Sequence, residues 1–124
     1  MDALGIPWCF RADAPRLAAI GAPFIINLDD RTGAGTHWVA ACLKSAGGLQ
    51  TLYYADPLGT LLNGYPPKEL ERYRRRIVSR PTFQHPASHL CGYYAIAFVN
   101  VMRQMPAGVS QKDFEDRLIR ALAA

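Results

Sequence analysis

Cys91, His37 and Asp56 are residue types that together perform nucleophilic chemistry. Cys91 ends a polar, proline-containing stretch, Gln84-His85-Pro86-Ala87-Ser88-His89-Leu90, and opens an apolar run. That pattern puts a thiol in the first turn of a buried helix, where the partial positive charge of the helix N-terminus favours thiolate. A thiol nucleophile needs a base within hydrogen-bond reach and a third group that orients the base. His37, beside Trp38 on an expected strand, is the candidate base. Asp56, at the end of the neighbouring strand, is the candidate orienting acid. Gln84, seven positions before Cys91, is the candidate oxyanion donor together with the Cys91 backbone N–H. One such donor contributes roughly 3 kcal/mol to the stabilisation of a tetrahedral intermediate.

Each of these residues alone has an ordinary explanation: a strand histidine, a turn aspartate before proline, a packed core thiol. Their joint occurrence in suitable contexts favours the catalytic one. The other cysteines fit the role less well. Cys42 lies five positions from His37, and an odd offset on one strand points the two side chains to opposite faces. Cys9, between Trp8 and Phe10, reads as buried. His85, His89 and Cys91 have spacings that could contribute to a metal site, but structural zinc takes four ligands, usually with paired cysteines, and the chain has no Cys-x-x-Cys. No metal is expected, and His85 and His89 read as loop residues near the cleft.

The elements that must position these groups follow from periodicity and punctuation. Residues 14–21 read as a short helix with proline early and glycine at its end. Residues 23–28 read as a strand, stopped by the polar run 29–35. Residues 36–43 and 50–56 form strands joined through Ala46-Gly47-Gly48, an antiparallel hairpin. A basic helix is expected from Lys68 to about Arg75. The stretch from Ile77 to Gln84 is ambiguous, a short strand broken by Pro81. Residues 92–105 form the strongest helix, apolar on all sides over Tyr93 to Val99 and so expected in the core. Ser110 caps a last helix with Asp113 as partner, and Phe114, Leu118, Ile119 and Leu122 are its apolar stripe. This order suggests one α+β domain over residues 1–124, an antiparallel sheet packed on a central helix.

A chain of 124 residues, half of them apolar, can bury roughly two-thirds of its unfolded surface. No apolar run approaches the ~20 residues of a membrane span, and the first residues lack a secretory pattern. Three cysteines at irregular spacing argue against a disulfide framework and for a reducing, intracellular compartment. The net charge of +4 admits an acidic partner. Arg72, Arg74, Arg75, Arg76 and Arg80, with Lys68, are the candidate nucleic-acid footprint; a solvated helix face balanced by Glu69 and Glu71 is the plainer alternative.

Gly35-Thr36-His37-Trp38, Asp56-Pro57-Leu58-Gly59 and the Gln84 to Cys91-Gly92 segment resemble the adenovirus-type endopeptidases (adenain). The order His, acid, Gln, Cys is shared with the ubiquitin-like-protein proteases, where the Gln-to-Cys gap is typically one residue shorter and an Asp usually precedes the Cys. Here Leu90 precedes it and the gap has the adenain length. The resemblance spans residues 4–105 and is specific at the three motifs. It implies a papain-like cysteine protease core of the adenain and ubiquitin-like protease type: α+β, with a small antiparallel or mixed sheet on a buried central helix. It implies His37 as base, Asp56 as orienting acid (where adenain commonly has Glu), Gln84 as oxyanion donor and Cys91 as nucleophile. It also implies virion precursor proteins as substrates, cut near small residues, and the host nucleus and virion as locations. No cofactor is required by the sequence; DNA and a viral peptide enter as candidate activators through the resemblance alone. Three functions are therefore expected in order: precursor-cleaving cysteine endopeptidase, ubiquitin-like-protein deconjugating protease, and non-catalytic DNA- or capsid-binding module on the same fold.

Overall fold

The computed structural model describes residues 5–28, 37–85 and 90–123. Gly35 and Thr36 of the first motif, the expected strand stop at 29–35 and His89 lie outside the described residues.

Strands and helices follow one another as β1 (Trp8–Phe10), α1 (Ala14–Ile20), β2 (Phe24–Asn27), β3 (Trp38–Ala46), β4 (Leu49–Ala55), β5 (Arg76–Val78), α2 (Cys91–Gln104) and α3 (Gln111–Ala123). Among the described residues the strands form a five-stranded sheet in chain order. The outer pairs β1–β2 and β4–β5 are parallel, and the inner pairs are antiparallel. The β3–β4 hairpin closes at Ala46↔Leu49, with Gly47 at φ 58 and Gly48 at φ 82. Two successive positive φ values match the right-handed strand twist, and glycine adopts them without a Cβ penalty.

Alternation along β3 divides the core. Ala40 and Cys42 point to the α2 side with Tyr53, Ala95, Phe98, Val99 and Met102. Val39, Ala41 and Leu43 point to the opposite side, against Ala14, Ala18 and Leu70. The sheet is therefore covered on both faces, which is why β2 is buried at every residue. Tyr53 is buried with its hydroxyl donating to the Val109 carbonyl at 2.7 Å and its ring edge-on to Phe114. That contact joins the sheet to the start of α3.

Helix ends follow the expected signals. Gly21 closes α1 in the left-handed region. Met105 ends α2 in extended conformation, as a residue before proline prefers. The Ser110 hydroxyl accepts the Asp113 N–H at 3.1 Å.

Several elements differ from expectation. The basic helix from Lys68 to Arg75 is a single 3-10 turn, Lys68–Leu70, followed by turn and coil. It has only Leu70 and Tyr73 to bury, too little apolar face to offset the cost of helix nucleation. The ambiguous stretch after it supplies β5, one residue earlier than Ile77. The Trp8–Phe10 strand is an added edge strand. Helix α2 is buried along the Cys91, Ala95, Phe98, Val99 and Met102 face, whereas Tyr93 stands 66% exposed, so apolarity on all sides does not become burial on all sides. On α3, Ile119 is exposed and Glu115 is buried beside Phe114 and Leu118.

Candidate active site

His37 immediately precedes β3, and Asp56 immediately follows β4. The two strands run antiparallel, so their His37 and Asp56 ends fall at the same rim of the sheet. The His37 Nε2 lies 2.7 Å from Asp56 Oδ1. The Asp56 side chain is 5% exposed and the His37 side chain 27%. An acid that holds Nε2–H leaves Nδ1 as the ring nitrogen that can accept a proton. The same Asp56 Oδ1 accepts the Leu58 N–H at 2.8 Å, an Asx-type turn that fixes the carboxylate against its own backbone.

Beyond Asp56 the chain folds back tightly. The Gly59 N–H donates to the Asp56 carbonyl and the Gly64 N–H to the Gly59 carbonyl, both at 2.9 Å. Gly64 is packed so closely that a Cβ there would fall 2.9 Å from Asp56 Cβ. Gly59, at φ 73, lies against the Arg80 and Pro81 carbonyls, where a Cβ would meet oxygen at 2.6 and 2.5 Å. Both glycines are required by close approach of backbone.

Gln84 is buried and joins this same turn. The Pro57 carbonyl accepts the N–H groups of Phe83 at 2.8 Å and Gln84 at 3.0 Å. Phe83 in turn lies edge-on to Phe98 of α2, ring centroids 5.3 Å apart. Cys91 is the first residue of α2 and 5% exposed. Thus His37 touches Asp56 directly, Gln84 is tied to the residue after Asp56, and Phe83 ties Gln84 to the helix that begins with Cys91. Trp38, next to His37, also packs into the core on the α2 side.

The other thiols sit in settings that suppress reactivity. Burial, followed by the nearby Asp13 carboxylate, pushes Cys9 up to about 11. Burial raises Cys42 as well, and Cys42 lies among core side chains on the α2 side. Neither would be thiolate near neutrality.

All five candidate arginines are exposed, and two of them hold partners within the chain. Arg80 is engaged by Glu115 through Nε, Nη2 and its backbone N–H. Arg75 Nε donates to Thr51 Oγ1 at 3.0 Å. Arg72 and Arg74 lie on the turn before β5 and Arg76 at its start. Glu115, which residue pattern alone does not single out, is buried and accepts four hydrogen bonds among the described residues, three from Arg80 and one from Gln111. Its sequence signal is only a charge three positions before Leu118 on an amphipathic helix.

No family model matches the chain, and no curated protein sequence matches it at a significant level. Solved structures do match it. The ASFV pS273R protease superposes with a TM-score of 0.54 at 18% identity, over 77% of this chain and 40% of that one. AvrA, solved with IP6 and CoA, superposes with a TM-score of 0.61 at 14% identity, over 90% of this chain and 48% of that one. The chain spans less than half the length of either. The fold is that of the adenain and ubiquitin-like-protein proteases: α+β, a mixed sheet with α2 packed across it.

Proposed function

We propose that this chain is a cysteine endopeptidase that cleaves precursor proteins through a thioester acyl-enzyme. The observation that carries the reading is the 2.7 Å His37–Asp56 contact at the same end of the sheet as the loop that fixes Gln84, on a fold shared with a protease. In this mechanism His37 Nδ1 takes the Cys91 proton as Sγ attacks the scissile carbonyl. Gln84 and the Cys91 N–H hold the oxyanion. The intermediate collapses to a thioester as His37 protonates the leaving amine. Water, deprotonated by His37, then releases the acid and restores the thiol. Asp56 keeps Nε2 protonated throughout and stabilises the imidazolium.

Viral precursors cut near small residues are the proposed substrates, the host nucleus and virion the proposed locations, and DNA and a peptide the proposed activators; these rest on the motif resemblance. Removal of ubiquitin-like modifiers uses the same chemistry on a different polypeptide. A second reading is favoured by the CoA in the AvrA structure: the same thioester would be loaded from an acyl-CoA and passed to an amine.

The test is cleavage of Gly-containing peptides by wild type and Cys91→Ala, with ubiquitin-like probes and acyl-CoA run in parallel. Loss of peptide cleavage in Cys91→Ala supports the endopeptidase. Cleavage retained in that variant refutes the mechanism. Labelling by the modifier probe without peptide cleavage, or acyl-CoA consumption dependent on Cys91, replaces it with the corresponding alternative. A Cys91 that iodoacetamide alkylates no faster than a free thiol at pH 6 argues for a non-catalytic module.

A further inference from the structure

Helix α3 carries none of the four candidate catalytic residues, yet its first turns grip the segment that presents one of them. Glu115 is buried and receives donors almost entirely from residue 80. Its Oε2 accepts the Arg80 backbone N–H at 2.8 Å and Arg80 Nε at 3.0 Å, and its Oε1 accepts Arg80 Nη2 at 2.8 Å. Gln111, one turn earlier, donates to Glu115 Oε2 at 3.0 Å and to the Val78 carbonyl at 2.7 Å. The other side of the same segment is fastened to the Asp56 turn. The Arg80 carbonyl accepts the Thr60 N–H at 3.2 Å. The Thr82 hydroxyl donates to the Leu58 carbonyl at 2.8 Å. Phe83 and Gln84 donate to the Pro57 carbonyl.

Residues 78–84 are therefore a strap held between α3 and the loop that follows the orienting acid. Backbone contacts dominate, so they do not depend on what side chains the strap carries. A carboxylate is expensive to bury unless its oxygens are well supplied with donors. A surface ion pair with an exposed guanidinium would contribute little by itself. The distinctive contact is the one to the Arg80 backbone N–H, because it fixes main chain four residues before Gln84.

We infer that Glu115 is a positioning residue for Gln84, setting the strap from which Gln84 reaches the oxyanion. This inference rests on the protease reading for Gln84 but predicts a structural effect that needs no turnover. Glu115→Ala should lower kcat about tenfold with KM little changed, since small misplacement of a catalytic group costs factors of this size. Glu115→Gln, whose amide oxygen can still accept the Arg80 N–H, should recover most of the loss. Arg80→Ala, which keeps that backbone contact, should cost less than Glu115→Ala. In a Gln84→Ala background, Glu115→Ala should have no further effect on kcat.

Hydrogen exchange on the intact chain is the second arm. The Phe83 and Gln84 amides should exchange faster in Glu115→Ala and return toward wild type in Glu115→Gln, while the β3–β4 amides stay protected. Additive kcat losses in the double variant, or unchanged exchange at residues 83 and 84, would overturn the positioning role. Global loss of protection in Glu115→Ala moves the comparison to Glu115→Gln and Arg80→Ala, both of which keep the backbone contact; there, exchange at residues 83 and 84 faster than in wild type in both variants overturns it. If wild type cleaves nothing, the protease reading fails while the exchange arm still decides whether Glu115 sets the strap.

Discussion

Gly64→Ala is a single-methyl test of whether the orienting acid is clamped. Gly64 is buried and its φ is not positive, so alanine costs nothing through backbone conformation and the effect is steric. The added Cβ would fall 2.5 Å from the Gly59 carbonyl oxygen, 2.9 Å from Asp56 Cβ and 3.0 Å from Asp56 Cγ, where ordinary contact begins at 3.4 Å. The contact with Gly59 must therefore open by about 0.9 Å, and those with Asp56 by about 0.5 Å at Cβ and about 0.4 Å at Cγ. Gly59 has little room, because its own α-carbon lies against the Arg80 and Pro81 carbonyls. Its carbonyl also holds the Gly64 N–H. The displacement falls on Asp56, whose Oδ1 serves both His37 and the Leu58 N–H. Overpacking of this kind costs about 1–3 kcal/mol of stability. A shift of about 0.4 Å at the acid, less than half of the ~1 Å that costs ~10²-fold, lowers turnover by roughly tenfold or less. Urea unfolding gives the first number and initial rates on a fluorogenic peptide the second. Wild-type stability with wild-type turnover would show that the turn yields freely. Lost stability with intact turnover would show that the turn yields away from Asp56, and either result refutes the clamp.

Asp56→Asn should lower kcat by roughly 10²- to 10⁴-fold, because the amide cannot enforce the His37 tautomer, while urea unfolding stays close to wild type; a drop under threefold would remove Asp56 from the mechanism. The Glu115 carboxyl is held at about 2, chiefly by its hydrogen bonds to Arg80. A depressed folded-state value contributes stability that is present above the unfolded value near 4.5 and is lost as pH falls through 2. The shift alone would correspond to ~3 kcal/mol, but the Arg80 side chain is 66% exposed, and screening reduces this to ~1 kcal/mol. The urea-stability gap between wild type and Glu115→Gln should therefore close between pH 5 and pH 2; a pH-independent gap contradicts the assignment. If the chain binds duplex DNA, Arg74→Ala plus Arg76→Ala should reduce the salt slope by about 2, one for each phosphate that no longer meets an arginine. Binding without salt dependence, or none, removes DNA from the partners.

The elements with strong local signals are legible in the sequence. The β3–β4 hairpin carries apolar alternation and a Gly-Gly turn, and α1 carries an early proline and Gly21. The Ser110 cap is also visible. Legibility ends wherever tertiary context decides. Trp8-Cys9-Phe10 is too short for periodicity, and pairing with β2 makes it a strand. The charges of residues 68–76 look like a helix face, yet Arg76 is drawn into pairing with Leu52 on β4. An apolar stripe on α3 takes in Ile119, which is exposed, and passes over Glu115, which is buried. A buried carboxylate is justified only by its donors, and three of the four among the described residues come from Arg80, 35 positions away in the sequence. The candidate residues His37, Asp56, Gln84 and Cys91 follow from residue type and context. Which ring nitrogen faces the acid is a matter of side-chain rotation, which no local pattern encodes.

The geometry also explains why the acid and the glutamine motifs belong together. Asp56 and Gln84 are 28 positions apart, yet the Pro57 carbonyl is shared between them through the Phe83 and Gln84 N–H groups. Proline cannot donate a backbone N–H, so residue 57 contributes only an acceptor here. Leu58 donates back to Asp56, and Gly59 permits the reversal that brings Gly64 onto the carboxyl group. The Asp-Pro-Leu-Gly sequence is thus a complete local device. It fixes the carboxylate, provides the acceptor that anchors the glutamine segment, and turns the chain away from the rim. A substitution that preserved Asp56 but disturbed Pro57 or Gly59 would disconnect two candidate catalytic groups at once. That is a stronger constraint than either residue type would impose alone.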